Sequence, residues 1–166
     1  MSLPRYRLQP VLDSKEKRKK EAEKNLGEVR KELARQEQIL QEKEAAVVQA
    51  TQKKDQYTAD FQTKLSTGME TGKITAAKAY IEVLKKNIEL AKKKVEEQKK
   101  VIEEWKKKEH EALLRVTETT KEMKVIEKHK ENWAESVKKE IEFKEDQEQE
   151  EVAQNLYEQF RRQKQS

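Results

Sequence analysis

Apolar residues recur at seven-residue spacing in two long stripes, and the chain's main cluster of turn residues lies between them. In the second stripe Ile74, Ile81, Ile88, Val95, Ile102, Val116, Met123 and Val137 share one phase. Ala77, Leu84, Ala91, Trp105, Ala112, Ile126 and Trp133 fall three residues later. The first stripe carries Leu12, Leu26, Leu33, Leu40, Val47 and Phe61, with Ala22, Val29, Ala50 and Tyr57 in the other phase. An a/d pattern of this kind makes a helix that must bury one narrow seam against another helix. The segment Ser66-Thr67-Gly68-Met69-Glu70-Thr71-Gly72-Lys73 separates the stripes. The expected fold is therefore all-α, a long two-helix antiparallel coiled-coil hairpin with unequal arms.

Composition supports this reading. Only 33% of residues are hydrophobic and 43% are charged, too few apolar groups for a thick core. Low hydrophobicity with high charge also describes disordered chains. Here the scarce apolar residues sit where a two-helix seam needs them. Both prolines, Pro4 and Pro10, precede the stripes, and inside the helices the one glycine is Gly27. Five segments follow: an extended lead-in over 1–10, a first helix over 11–66, a turn over 67–74, a second helix over 75–160 and a basic tail over 161–166. Thr75 is the expected N-cap of the second helix. The helices span roughly 80 Å and 125 Å at 1.5 Å per residue. With the turn near Met69, Leu12 pairs in the region of Met123 to Ile126, and little after Trp133 has a partner on the first helix. The overhang keeps apolar residues at Ile141, Phe143, Val152, Leu156 and Phe160, the mark of either a frayed amphipathic end or a segment that docks into a partner.

The seam is impure. Lys15, Lys19, Lys43, Lys54, Lys130, Gln36, Gln98 and Glu109 occupy a or d positions. Long lysine stems snorkel out of such a seam, and polar seam residues fix register at a cost in stability.

Catalytic chemistry is not written in the chain. There is no cysteine, and His110 and His129 stand apart as solvated histidines without ligand spacing. Gly68 and Gly72 lack the Lys-Ser or Lys-Thr of a phosphate loop. No cofactor is expected. The N-terminus has no apolar signal core and no run is long enough to span a bilayer, so a cytoplasmic protein is expected. The basic cluster Lys15 to Lys20 is interspersed with Glu16 and flanked by Glu21, without an aromatic platform. That favours a solvated face or an acidic protein partner over nucleic acid. Tyr57 and Phe61 hold seam positions. Tyr80 lies just off the seam and is the better candidate for an outside contact.

These residues resemble a known family. The opening Tyr6-Arg7-Leu8-Gln9-Pro10-Val11-Leu12 leads directly into a charged helix, and the turn has a Gly-x-x-x-Gly form. The return helix carries Ala-Tyr-Ile-x-x-Leu at Ala79 to Leu84, and Trp133 precedes an acidic, glutamine-rich tail. Together they are similar to the central-stalk proteins of type III secretion, the FliJ/YscO/SctO group, and most of all to its chlamydial-type injectisome members. The resemblance covers nearly the whole chain. It implies a non-catalytic coiled coil whose terminal end enters the hexameric secretion ATPase and promotes its assembly or activity. The hairpin side would face the cytoplasmic ring of the export gate, placing the protein at the inner-membrane base of the apparatus. By the same resemblance Tyr6, Leu8, Val11, Leu12, Trp133, Val137 and Ile141 lie at the ATPase end, with Lys15, Lys17 and Arg18 as weak, exchangeable charge contacts. Tyr57, Phe61, Tyr80 and Leu84 match the gate positions. Secretion chaperones and the needle-length ruler are further partners in the family. A secretion chaperone or escort adaptor, a plain coiled-coil spacer and a helical nucleic-acid arm are the competing readings.

Overall fold

A computed structural model describes residues 4–164. Residues 1–3 of the lead-in and 165–166 of the basic tail lie outside the described residues. Two helices account for almost everything: α1, Gln9–Thr67, and α2, Thr71–Lys164. They pack antiparallel as a coiled-coil hairpin, and among the described residues there is no strand.

Helix ends depart from the sequence expectation in instructive ways. α1 starts at Gln9, so Pro10 is inside the helix rather than holding the chain out of it. The first intrahelical bond runs from the Leu12 amide to the Leu8 carbonyl at 3.0 Å. Pro10 thus sits in the first turn, where amides have no intrahelical acceptor and a missing N–H costs nothing. At the turn, Ser66 and Thr67 hydroxyls donate to the carbonyls of Thr63 and Lys64, satisfying acceptors that the ending helix leaves open. Gly68 then takes φ +98°, a conformation that favours glycine, and the chain reverses through Gly68, Met69 and Glu70. The Glu70 carbonyl receives the amides of Lys73 and Ile74, which starts α2 at Thr71. Thr75 is therefore an interior residue, not the N-cap, and its hydroxyl donates to the Thr71 carbonyl at 3.2 Å.

The chain divides into two compact units, Glu23–Leu114 and Met1–Ala22 with Arg115–Ser166. In the first, which holds the turn, Leu26, Leu33 and Phe61 of α1 and Ala77, Leu84, Ile88, Val95, Ile102 and Ala112 of α2 are buried. Every one is an a or d position. The seam's central polar residue, Gln98, is 5% exposed and fully engaged. Its amide donates to the Gln36 carbonyl at 3.0 Å and to Gln36 Oε1 at 2.8 Å, while its own oxygen accepts from Lys43 Nζ at 3.1 Å. Gln36 in turn donates to Glu32 at 2.7 Å. A buried amide with all its partners in place fits one register and penalises others, because a slipped pairing leaves its donors and acceptor unmet. Arg30 reaches Glu109 across the same pair of helices at 2.9 Å. Trp105 is half-buried, its ring covered by the Lys108 ammonium at 4.1 Å.

In the second unit the seam is thinner. Ala22 and Thr119 are buried, and Leu12, Val116, Met123, Ile126, Trp133, Val137 and Ile141 are half-buried. From Glu142 to Lys164 every residue is exposed, although the segment remains helical.

Candidate docking sites

The terminal unit is organised by a residue outside either stripe. Tyr6, in the non-helical lead-in, is 6% exposed. Its ring packs against Trp133 with centroids 5.0 Å apart and against His129 at 5.8 Å, and its hydroxyl shares a 2.6 Å hydrogen bond with His129 Nδ1. Gln9 extends the clasp. Its side-chain oxygen accepts from Lys130 Nζ at 2.8 Å, and its amide donates to Asp13 at 2.9 Å. His129 is thus a specific partner of the lead-in rather than only a solvated histidine. A tyrosine three residues before a helix start, with a Trp and a His four apart on the return helix, is the signal that heptad counting passes over.

Folding Tyr6 inward leaves its neighbours outside. Leu8 is 36% and Val11 39% exposed, both large apolar residues held on the surface. Leu12 is half-buried. Within the basic cluster, Lys15 is half-buried and bonded to Glu122 at 2.7 Å, and Lys20 pairs with Glu16 at 3.3 Å. The Lys15 hydrogen bond, then its charge, hold the Glu122 carboxyl below its ordinary pKa, with a smaller contribution from Arg18. Lys17 and Arg18 are exposed and form the outward basic face. Trp133, Val137 and Ile141 line up on α2 as a half-buried row.

The turn unit brings its four candidate residues together. Tyr57 and Tyr80 meet edge to face at 4.7 Å. Phe61 and Leu84 are buried in the seam. Tyr80, 37% exposed, presents the accessible ring. Next to it a cleft of about 300 Å³ is lined by Tyr57, Asp60, Phe61, Met69, Lys73 and Ala77 among others.

Among the described residues no group of His, Asp or Glu is placed to hold a metal ion, and no helix is long and apolar enough to cross a membrane. Residues 3–164 match the family described as YscO-like proteins. This chain belongs to the YscO-like family. The YscO-like chain is accordingly a type III secretion-associated protein, from a family of non-catalytic secretion components. It is similar to a solved structure described as that of a YscO homologue from Chlamydia trachomatis. The TM-score is 0.81 at 29% identity, over 96% of this chain and 99% of that one. No curated protein matches it.

Proposed function

We propose that this YscO-like protein is a stalk that docks its terminal unit into the hexameric secretion ATPase, promotes the ring's assembly or activity, and engages the export-gate ring through its turn unit. It works in the cytoplasm at the inner-membrane base of the apparatus. One observation carries the reading. The Tyr6 clasp buries one aromatic while Leu8 and Val11 stay partly exposed at the start of α1, and Arg18 follows two turns along the same face as Val11. More than a third of each of these apolar side chains is left in contact with solvent. Around them, exposed ion pairs contribute roughly 0–1 kcal/mol each, which suits contacts that exchange as ring subunits change state. A rod without six-fold symmetry inside a six-fold ring cannot meet all subunits alike, so it biases their nucleotide states one after another.

The test is ATP hydrolysis by the cognate ATPase with the intact protein and with a Leu8→Asp, Val11→Asp variant. Both side chains are more than a third exposed, and helical circular dichroism of the variant, read alongside, shows whether its fold is kept. Loss of stimulation is the expected result. Equal stimulation by both proteins removes the terminal unit from the ATPase and leaves the escort-adaptor reading, which the exposed apolar residues of the α2 overhang favour.

A further inference from the structure

Phe143, Val152, Leu156, Tyr157 and Phe160 are all at least half exposed, on a segment where every described residue from Glu142 to Lys164 is exposed. Their arrangement is ordered. At about 100° of rotation per residue, Val152, Ala153, Leu156, Tyr157 and Phe160 fall on one face, while Phe143 lies at its margin thirteen residues before Leu156. Charge along the same segment is polarised. Glu140, Glu142, Glu145, Asp146, Glu148, Glu150 and Glu151 crowd its first half, relieved by Lys144, and Arg161, Arg162 and Lys164 close it.

We propose that this face is covered by the same face of a second copy of the chain, running antiparallel about a two-fold axis through Leu156. In that register the partner's Leu156 meets Leu156, the partner's Phe160 meets Val152, and the partner's Tyr157 comes within about 3 Å of the level of Ala153. Opposite charges then fall within one or two positions of each other, an offset of about 1.5–3 Å that long side chains span. Asp146, Glu150, Arg161 and Lys164 lie along one edge of the apolar face, and in an antiparallel two-fold pair like edges meet. Glu150 comes opposite the partner's Arg161, and Asp146 opposite the partner's Lys164, each pair occurring twice. Arg162 is turned back toward Glu158 at 3.8 Å and takes no part. Parallel pairing is excluded by the same charges, because it sets one acidic half against the other. An anionic membrane surface is excluded for the acidic half as well. The segment carries acidic and basic partners on one side of the same face, which is why a second copy, rather than a basic helix from elsewhere, is the occupant. This pairing goes beyond the ATPase reading and stands whatever the Leu8 and Val11 patch binds.

The chain has no cysteine, so single introduced thiols report the pairing directly. In the full-length protein, Leu156→Cys sits on the axis and forms an intermolecular disulfide under mild oxidation. Phe143→Cys, equally exposed but about 39 Å from its partner's copy in this register, does not. An Arg161→Glu, Lys164→Glu variant and an Asp146→Lys, Glu150→Lys variant each dimerise about tenfold or more less tightly in sedimentation equilibrium. Mixing the two restores dimers, since every edge pair is again opposite in sign. Equal crosslinking at 143 and 156, dimers that ignore the charge reversals, or a chain that stays monomeric at every concentration each overturn the proposal.

Discussion

Replacing Tyr6 by Ala should release the lead-in while leaving the hairpin folded. Ordering residues 4–8 costs about 1–2 kcal/mol per residue, or about 5–10 kcal/mol together. Against this, burying an aromatic ring removes about 150–250 Å² from water, about 4–6 kcal/mol at 25 cal/mol per Å². The hydroxyl bond to His129 adds about 1 kcal/mol, and the Trp133 and His129 ring contacts about 1–2 kcal/mol more. The two sides nearly cancel, so docking is marginal and Tyr6 supplies almost all of the favourable part. Tyr6→Ala therefore undocks the segment. Tyr6→Phe keeps the ring and loses about 1 kcal/mol, a roughly fivefold rise in the undocked fraction. Because the opening is local, the loss saturates once the lead-in is free, and the global unfolding midpoint moves little. Trp133 emission reports it in a Trp105→Phe background, with proteolysis after Arg5 or Arg7 as a second measure. The expected order of accessibility is Ala above Phe above the parent protein. Unchanged Trp133 emission in Tyr6→Ala, or a drop in global stability of several kcal/mol, would refute the argument.

Gly27→Ala should stabilise the protein by about 1 kcal/mol in urea unfolding, because its Cβ meets nothing within 4 Å and helical alanine is favoured over glycine. Gly68→Ala should do the opposite by about 1 kcal/mol or more, since φ +98° strains any side chain whatever the space. Gln98→Leu should leave stability within about 1.5 kcal/mol yet lower the cooperativity of unfolding, as the amide that rejects slipped pairings is gone; an unchanged urea m-value counts against this. The lowered carboxyl of Glu122 contributes stability above its ordinary value of 4.5 that is lost as pH falls through the depressed one. The stability gap between the parent and Glu122→Gln should therefore be present at neutral pH and close in acid. A gap independent of pH contradicts the Lys15 pairing.

The seam was legible because burial in a two-helix protein leaves a period, and every a or d residue named from the sequence within the helices is buried or half-buried. Even Lys15 and Lys43 obey it, with stems in the seam and ammonium groups bonded at its margin. Helix ends were less legible. Pro10 reads as a breaker until its place in the first turn is known, and Thr75 reads as a cap until the Glu70 carbonyl is seen to start the helix four residues sooner. The Tyr6 clasp was illegible for a different reason. Its partners lie more than a hundred residues away, and a segment without regular structure imposes no spacing on the residue that anchors it. The outward residues of the candidate sites, Leu8, Val11 and Tyr80, became distinct from the buried Phe61 and Leu84 only once exposure was known.

The three-residue reversal at Gly68, Met69 and Glu70 also does something that no side chain does. An antiparallel fold-back divides the sequence like a crease in a strip of paper. Moving the crease one residue toward the C-terminus lengthens one arm and shortens the other, so the unpaired remainder shrinks by two. The length of uncovered helix beyond Ile141 is thus set far away, by where the crease falls. Evolution can lengthen or erase that free end with insertions and deletions near the reversal, and leave the sequence of the free end untouched.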